Sequence, residues 1–464
     1  MKKIFFIGLG LSFNLWAGIT LPELADFKNQ LNSQNCVIQT NHINNFLSKI
    51  EGDSLERNLL YRDHTLQLEE LWDAKIVVHE KMQTMKLDPL CVEGLRHFNI
   101  NIRKLEDTIE QNFYHQNKDR LHFPDHAFGN NNSQVKRNPR FKNFDLMKDL
   151  KSGDIILSRG NAYTSAAISA LGEYDTQFSH LSVVYKDPMG KLWTVESHIE
   201  VGVFVRPLED HIADKNFRTM ILRYQGPVVA QKAAEYIFNK VKKASETTGN
   251  INYDFAFDAS DSSELFCSEV ASHAFSEVTN DQVTLPMFSS RITKKKPDFV
   301  AQLGITVKES FIPADLEVDP RFDLIAEWKN AAAITDNLQK DAVLQAMFLW
   351  SDQHGYVMNQ ASSLTSLTYR NIAWPLRRVP FLSKYFENKL PKNMSRKLVG
   401  YFGVLESIGK HLQKKLIKAE ELGVNANGDY LTAQEKFQIL EEVRIKDRKE
   451  NGVLHYMYRP IKRK

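Results

Sequence analysis

The chain is poor in cysteine, nearly neutral in charge and short of long apolar runs. Its three cysteines in 464 residues are too few for a disulfide framework. Without a Cys-x-x-Cys pair or a His-Glu-x-x-His helix, no zinc signature is present either. Sixty Lys and Arg against 57 Asp and Glu leave a net charge of +3. That balance implies no polyanionic partner, and nucleic acid binding gains no support. Beyond the first residues no stretch approaches about 18 uninterrupted apolar residues, so the mature chain is expected to be soluble. No internal repeat is found. With 42% hydrophobic and 25% charged residues, the chain can bury more than one core, divided among two or three units.

The first residues follow a different pattern. Lys2 and Lys3 precede an apolar run over 4–16 and then Ala17 and Gly18, the layout of a secretory signal peptide with cleavage expected after Ala17. Export would place Cys36 and Cys91 in an oxidising compartment, where they could pair and leave Cys267 as the odd thiol.

Residues 18–121 read as a helical region. Asp53-Ser-Leu-Glu56 resembles a helix start, and Leu68, Trp72, Ile76 and Met82 mark one apolar face. Its His64, His79 and His97 are expected at surface or packing positions. Residues 122–143, with Gly129-Asn-Asn-Asn-Ser133, have the composition of a linker. The period then changes. Short β-branched runs over 154–158, 179–185, 192–199, 201–205 and 218–224 are expected as antiparallel strands, and residues 321–328 as a closing loop and strand. Helices are expected over 163–171 and 227–245, and again through 329–464. The last region ends with Lys414, Lys415, Lys418, Arg459, Lys462, Arg463 and Lys464. Such charges are by default a solvated face, with attraction to an anionic envelope surface as the second reading.

Within 144–328, the stretch Ser262-Ser-Glu-Leu-Phe-Cys-Ser-Glu-Val-Ala-Ser-His-Ala-Phe275 reads as an amphipathic helix capped by Ser262 or Ser263. Cys267 would fall in its first turns, where unpaired N–H groups and the helix dipole favour the thiolate. A cysteine nucleophile needs a base. In Phe178-Ser-His-Leu-Ser-Val-Val-Tyr185 the alternation turns His180 away from the more apolar face. Asp187-Pro-Met-Gly190 fits a three-residue hairpin loop, so 180 pairs with 198 and 182 with 196. His180, Glu196 and His198 then share one face, with Glu196 diagonal to His180 and able to hold its ring in one tautomer. His180, His198 and His211 could alternatively suggest zinc; no metal and no other cofactor is expected.

Four stretches carry a resemblance to the permuted NlpC-type papain-fold cysteine hydrolases, the YiiX and YebB group: Ser152-Gly-Asp-Ile-Ile-Leu157, Phe178-Ser-His-Leu-Ser-Val-Val184, Trp193-Thr-Val-Glu-Ser197, and Tyr253-Asp-Phe-Ala-Phe257 leading to Phe266-Cys-Ser-Glu-Val270. The order of histidine before cysteine is its distinctive part. The resemblance implies an α+β fold, a permuted papain-like domain with an antiparallel sheet, here flanked by N- and C-terminal helical regions. It also implies Cys267 as nucleophile, His180 as base and Glu196 as the third member with His198 as rival, while Tyr253 and Asp254 shape the site. The expected activity is cleavage of an amide through an acyl-enzyme. A peptidoglycan peptide is the first substrate class and an acyl lipid, hydrolysed or used in acyl transfer, the second. An inactive envelope scaffold is the competing class.

Overall fold

The computed structural model describes residues 22–52, 64–124, 135–259, 262–292, 297–360, 362, 367–377, 379, 393–427 and 430–460. The signal segment, the helix start at Asp53, the run from Gly129 to Ser133, and Lys462, Arg463 and Lys464 lie outside the described residues.

The N-terminal region contains α1 (Pro22–Gln30), α2 (Cys36–Gly52), α3 (His64–Met82) and α4 (Pro89–Asn117). The carboxylate of Asp88 accepts from the N–H groups of Leu90 and Cys91 at 2.9 and 3.0 Å, and Pro89 follows at the first helical position, so α4 starts where its orphan donors are satisfied. A Cys36–Cys91 disulfide fastens α2 to α4 within a core that includes Leu47, Leu95 and Phe98. It closes a loop with a sequence separation of 55. The Cys36→Ser, Cys91→Ser double variant is therefore expected to lose roughly 2–4 kcal/mol, read as a lower urea midpoint.

The central sheet has seven strands. These are β1 (Lys136–Arg137), β2 (Asp154–Arg159), β3 (His180–Lys186), β4 (Leu192–His198), β5 (Gly202–Pro207), β6 (Arg218–Tyr224) and β7 (Phe322–Lys329), antiparallel in the order β1-β7-β6-β2-β3-β4-β5. α5 (Tyr163–Ser169) follows β2, while α6 (Pro227–Thr247) and α7 (Cys267–Thr279) lie between β6 and β7 in sequence. Period-2 alternation divides the side chains between two faces. Ile155, Leu157, Leu181, Val183 and Val195 pack against Ala233, Ile237, Val270 and Ala274 of α6 and α7, whereas Ile156, Val184, Ile221 and Ile325 join Phe144, Leu150 and Trp328 in a second core.

The stretch expected to be only a linker contributes its end to the sheet. Lys136 pairs with Glu327 and Arg137 with Ala326. Two residues suffice for an edge strand, and the Lys136 side chain reaches Glu106 and Glu110 at 3.6 and 3.3 Å.

Both helical regions are fixed to this domain. α3 and α4 meet β6 and β7 through buried charges, among them Lys75–Glu327 at 2.6 Å, Arg218–Asp107 at 2.6 Å and Lys329–Asp107 at 3.1 Å. Trp72 and Ile76 join the central core, and buried His79 approaches the Phe322 carbonyl at 2.8 Å, a packing role. On the other side, α8 (Ile334–His354), α9 (Arg396–Asn427) and α10 (Ala433–Glu450) share a core with Tyr163, Ala166 and Ala167 of α5. Asp341 of α8 accepts from Arg159 at 2.5 Å and from Gln177 at 2.9 Å. Lys414, Lys415 and Lys418 are exposed on α9.

Candidate active site

The β3–β4 hairpin sets the site. Gly190, at a φ of 84°, closes the loop by donating to the Asp187 carbonyl at 2.9 Å, and the Asp187 N–H donates to the Lys191 carbonyl at 2.9 Å. Ser182 consequently pairs with Glu196, the register expected from the turn. The Nε2 of His180 lies 2.8 Å from Glu196 Oε2, and that of His198 lies 3.1 Å from the same oxygen.

Glu196 is completely buried and more heavily engaged than a simple orienting acid. Arg206 donates from Nε to Oε1 at 2.5 Å and from a terminal nitrogen to Oε2 at 3.1 Å. The Thr194 hydroxyl donates to Oε1 at 2.7 Å, and His211 Nδ1 approaches Oε2 at 3.2 Å. Burial alone would raise the Glu196 pKa, but the positive side of His211 and the hydrogen bonds from His180, His198 and His211 hold it well below the usual carboxylate range. For His180 burial prevails. It lowers the pKa to about 4 against the hydrogen bond to Glu196, and His198 and His211 lower it further.

Cys267 is the first residue of α7, not a residue inside a helix begun at Ser262 or Ser263. The cap is at Phe266, whose N–H donates to the Glu269 carboxylate at 3.0 Å. Both serines precede the buried Leu265–Phe266 approach, which β4 holds through a 2.6 Å bond from Ser197 Oγ to the Leu265 carbonyl. The expected thiolate is also corrected. Burial pushes the Cys267 thiol up to about 11, although the Leu181 and Ser268 N–H groups and the Ser268 hydroxyl act in the opposite direction. At neutral pH the resting pair is thus a thiol and a neutral imidazole. Alkylation of Cys267 by iodoacetamide should accordingly still be accelerating above pH 9; a plateau by pH 7 would contradict this.

Cys267 and His180 line one cleft of about 1070 Å³, together with Ser158, Asn161, Thr164, Asn216 and Tyr253. Among the described residues the two are not hydrogen-bonded to each other. Because Glu196 occupies Nε2, Nδ1 is the ring nitrogen of His180 that this carboxylate leaves available. Asp254 accepts from the N–H groups of Ala256 and Asp258, both at 2.6 Å, and so holds the loop after Tyr253.

Residues 149–326 match the model of a family described as permuted papain-like amidase enzymes, YaeF/YiiX, C92 family. Over these residues the chain is similar to that family. Neither the curated proteins nor the solved structures compared with the chain contain a match.

In the central domain, His180, Glu196 and His198 bring three ligand atoms within 4.8 Å of one another, a set that could hold a divalent metal. The Arg206 guanidinium already occupies both Glu196 oxygens and would place a positive charge against any such ion. By residue type alone His211 stands out only as a possible zinc ligand, and Arg206 does not stand out at all. The signal for Arg206 lay in the β4–β5 register: Glu196 pairs with Phe204 and Thr194 with Arg206, so Arg206 is diagonal to Glu196 on the same face.

Proposed function

We propose that the protein is a cysteine hydrolase that cleaves an amide through a thioester, with Cys267 as nucleophile, His180 as base and acid, and Glu196 as orienting carboxylate. One observation carries this reading: an unpaired thiol shares a cleft with an imidazole whose other nitrogen is held by a buried, ionised glutamate. As sulfur attacks the carbonyl carbon, its proton passes to His180 Nδ1 and a C–S bond forms. The N–H of Cys267, at the helix start and without an intrahelical acceptor, can donate to the oxyanion. Collapse breaks the C–N bond while His180 returns the proton to the departing amine. Water then attacks the thioester with His180 again as base, releasing a carboxylic acid and restoring the thiol.

Glu196 is the third member in preference to His198, because it binds Nε2 of His180 directly and remains charged. Export belongs to the same proposal, supported by Lys2, Lys3 and the apolar run after them and by the Cys36–Cys91 bond. An exported setting favours a peptidoglycan peptide. An acyl-lipid amide is the second reading, favoured by an apolar cavity beside the cleft. The exposed Lys414, Lys415 and Lys418 would suit an anionic envelope surface in either case.

The deciding experiment incubates the protein separately with purified sacculi and with N-acyl p-nitroanilides, and follows released muropeptides, released nitroaniline and the intact protein mass. A transient acyl adduct mapped to Cys267 is expected on the productive substrate. Turnover that persists in Cys267→Ala would refute the mechanism.

A further inference from the structure

The buried Glu196 carboxylate collects more donors than an acid serving one imidazole needs. Its Oε1 accepts from the Thr194 hydroxyl at 2.7 Å and from Nε of Arg206 at 2.5 Å. Its Oε2 accepts from a terminal nitrogen of Arg206 at 3.1 Å and lies 2.8 Å from Nε2 of His180. Arg206 is thus a two-pronged fork on the carboxylate. The fork has its own support. The nitrogen that reaches Oε2 also donates to Asp214, an exposed wall residue of the cleft, and lies 3.3 Å from Nδ1 of His211 on the helical turn Leu208–Ile212.

We propose that Arg206, held by Asp214, is a positioning residue for the reaction: it fixes the plane of the Glu196 carboxylate, so that Oε2 always meets Nε2 of His180 and Nδ1 stays the basic nitrogen. The role rests on the thiol amidase reading above. Two arguments support it. The terminal torsion of a glutamate is broad, with no staggered well to hold the carboxylate plane. A guanidinium fork supplies that hold, because two parallel N–H donors fit one plane. The second argument is charge. An imidazole gains and loses its charge near neutrality, whereas a guanidinium stays positive. Among the described residues Arg206 is therefore the one permanent cation hydrogen-bonded to Glu196. A carboxylate kept ionised can only accept, which puts the His180 proton on Nε2 and leaves Nδ1 its lone pair. With the carboxylate turned away, the proton could sit on Nδ1, and His180 would offer the cleft no base.

Arg206 also joins β5 to β4, so the test needs a reading that a purely structural pair would not move. Histidine is labelled with 15N, and the ring nitrogens of His180, assigned by their loss in His180→Gln, are read at pH 7. The wild type is expected to show a single Nε2–H tautomer. Arg206→Met should show a mixture, with kcat on the N-acyl p-nitroanilides lowered roughly 10- to 100-fold, as for partners that orient a metal-bound histidine, and KM nearly unchanged. Arg206→Lys keeps the charge without the fork and should recover part of the kcat. Combining Arg206→Met with Glu196→Gln should cost no more than Glu196→Gln alone. An unchanged tautomer in folded Arg206→Met protein, a loss confined to KM, or additive losses in the double variant would overturn the role. Where Arg206→Met does not fold, Arg206→Lys carries the test, and a single tautomer with full activity there would overturn it. The ring signals need no turnover, so they decide the role even when no amide is cleaved. Turnover that persists in Cys267→Ala strikes the amidase mechanism and leaves the tautomer result standing.

Discussion

Cys267→Ala is expected to lower kcat on an N-acyl p-nitroanilide by at least about 10⁴-fold, with the acyl adduct absent from the intact mass spectrum. His180→Ala should cost nearly as much, and the double variant little more than either alone, because thiol and imidazole act as one unit. The pH dependence follows from their resting forms. His180 titrates near 4, so its basic form is present above that pH and is lost below it. The thiol stays protonated until about pH 11. Accordingly, kcat/KM should climb about tenfold per pH unit below pH 4 and remain level through neutrality, since the base is already free and the nucleophile is deprotonated only during attack. A descending limb near pH 7 to 8 would instead indicate a preformed thiolate–imidazolium pair. Retention of more than a tenth of the activity in a folded Cys267→Ala protein would leave the inactive scaffold as the better description.

The hairpin was legible because its information is local. Pro188 and Gly190 specify the loop, the loop specifies the register, and period 2 then brings His180, Glu196 and His198 to one face without further knowledge of the fold. The position of Cys267 at a helix N-terminus could be approximated in the same way, but the first turn could not. Ser262 and Ser263 are good capping residues in isolation, and what moves the start to Cys267 is the Glu269 carboxylate reaching back to Phe266. The antiparallel α+β class could be read from the sequence of short β-branched runs, and the 149–326 family match accords with it.

Protonation states were not legible. The helix start argues for a thiolate, yet Cys267 is 4% exposed and desolvation exceeds the effect of a few N–H dipoles. Burial of this kind is set where Cys267 shares one cluster with Leu171, Tyr253, Ile292 and Val300 from separate segments, which no local pattern encodes. The helical flanks present the same difficulty. Periodicity identifies α9 as amphipathic, but nothing in it reveals that Leu398, Phe402 and Leu405 roof a cavity while Gln413 accepts from the Tyr163 hydroxyl at 2.5 Å.

Arg218→Met should be among the most destabilising single changes outside the cleft, lowering the thermal midpoint by roughly 10 °C. Arg218 is fully buried. It donates to both Asp107 oxygens at 2.6 and 2.7 Å and to Glu327 at 2.7 Å, joining α4 to β7 across β6. Lys75, Lys136 and Lys329 complete four cations facing four acids, Glu106, Asp107, Glu110 and Glu327. Removing one cation leaves a buried carboxylate uncompensated, at a cost of about 3–5 kcal/mol. Removing a matched pair restores the balance, so Arg218→Met combined with Asp107→Leu should regain much of that loss. Acid should expose the same network. Despite burial, Lys75 and its neighbours hold Glu327 at about 2 against an ordinary value of 4.5, so its contribution is complete above pH 4.5 and is lost as pH falls towards 2. Urea midpoints at pH 6 and pH 3 should therefore differ more for the wild type than for Arg218→Met, in which Glu327 has lost one of its cations. Equal acid sensitivity in the two proteins would mean that the network does not hold the N-terminal helices to the sheet.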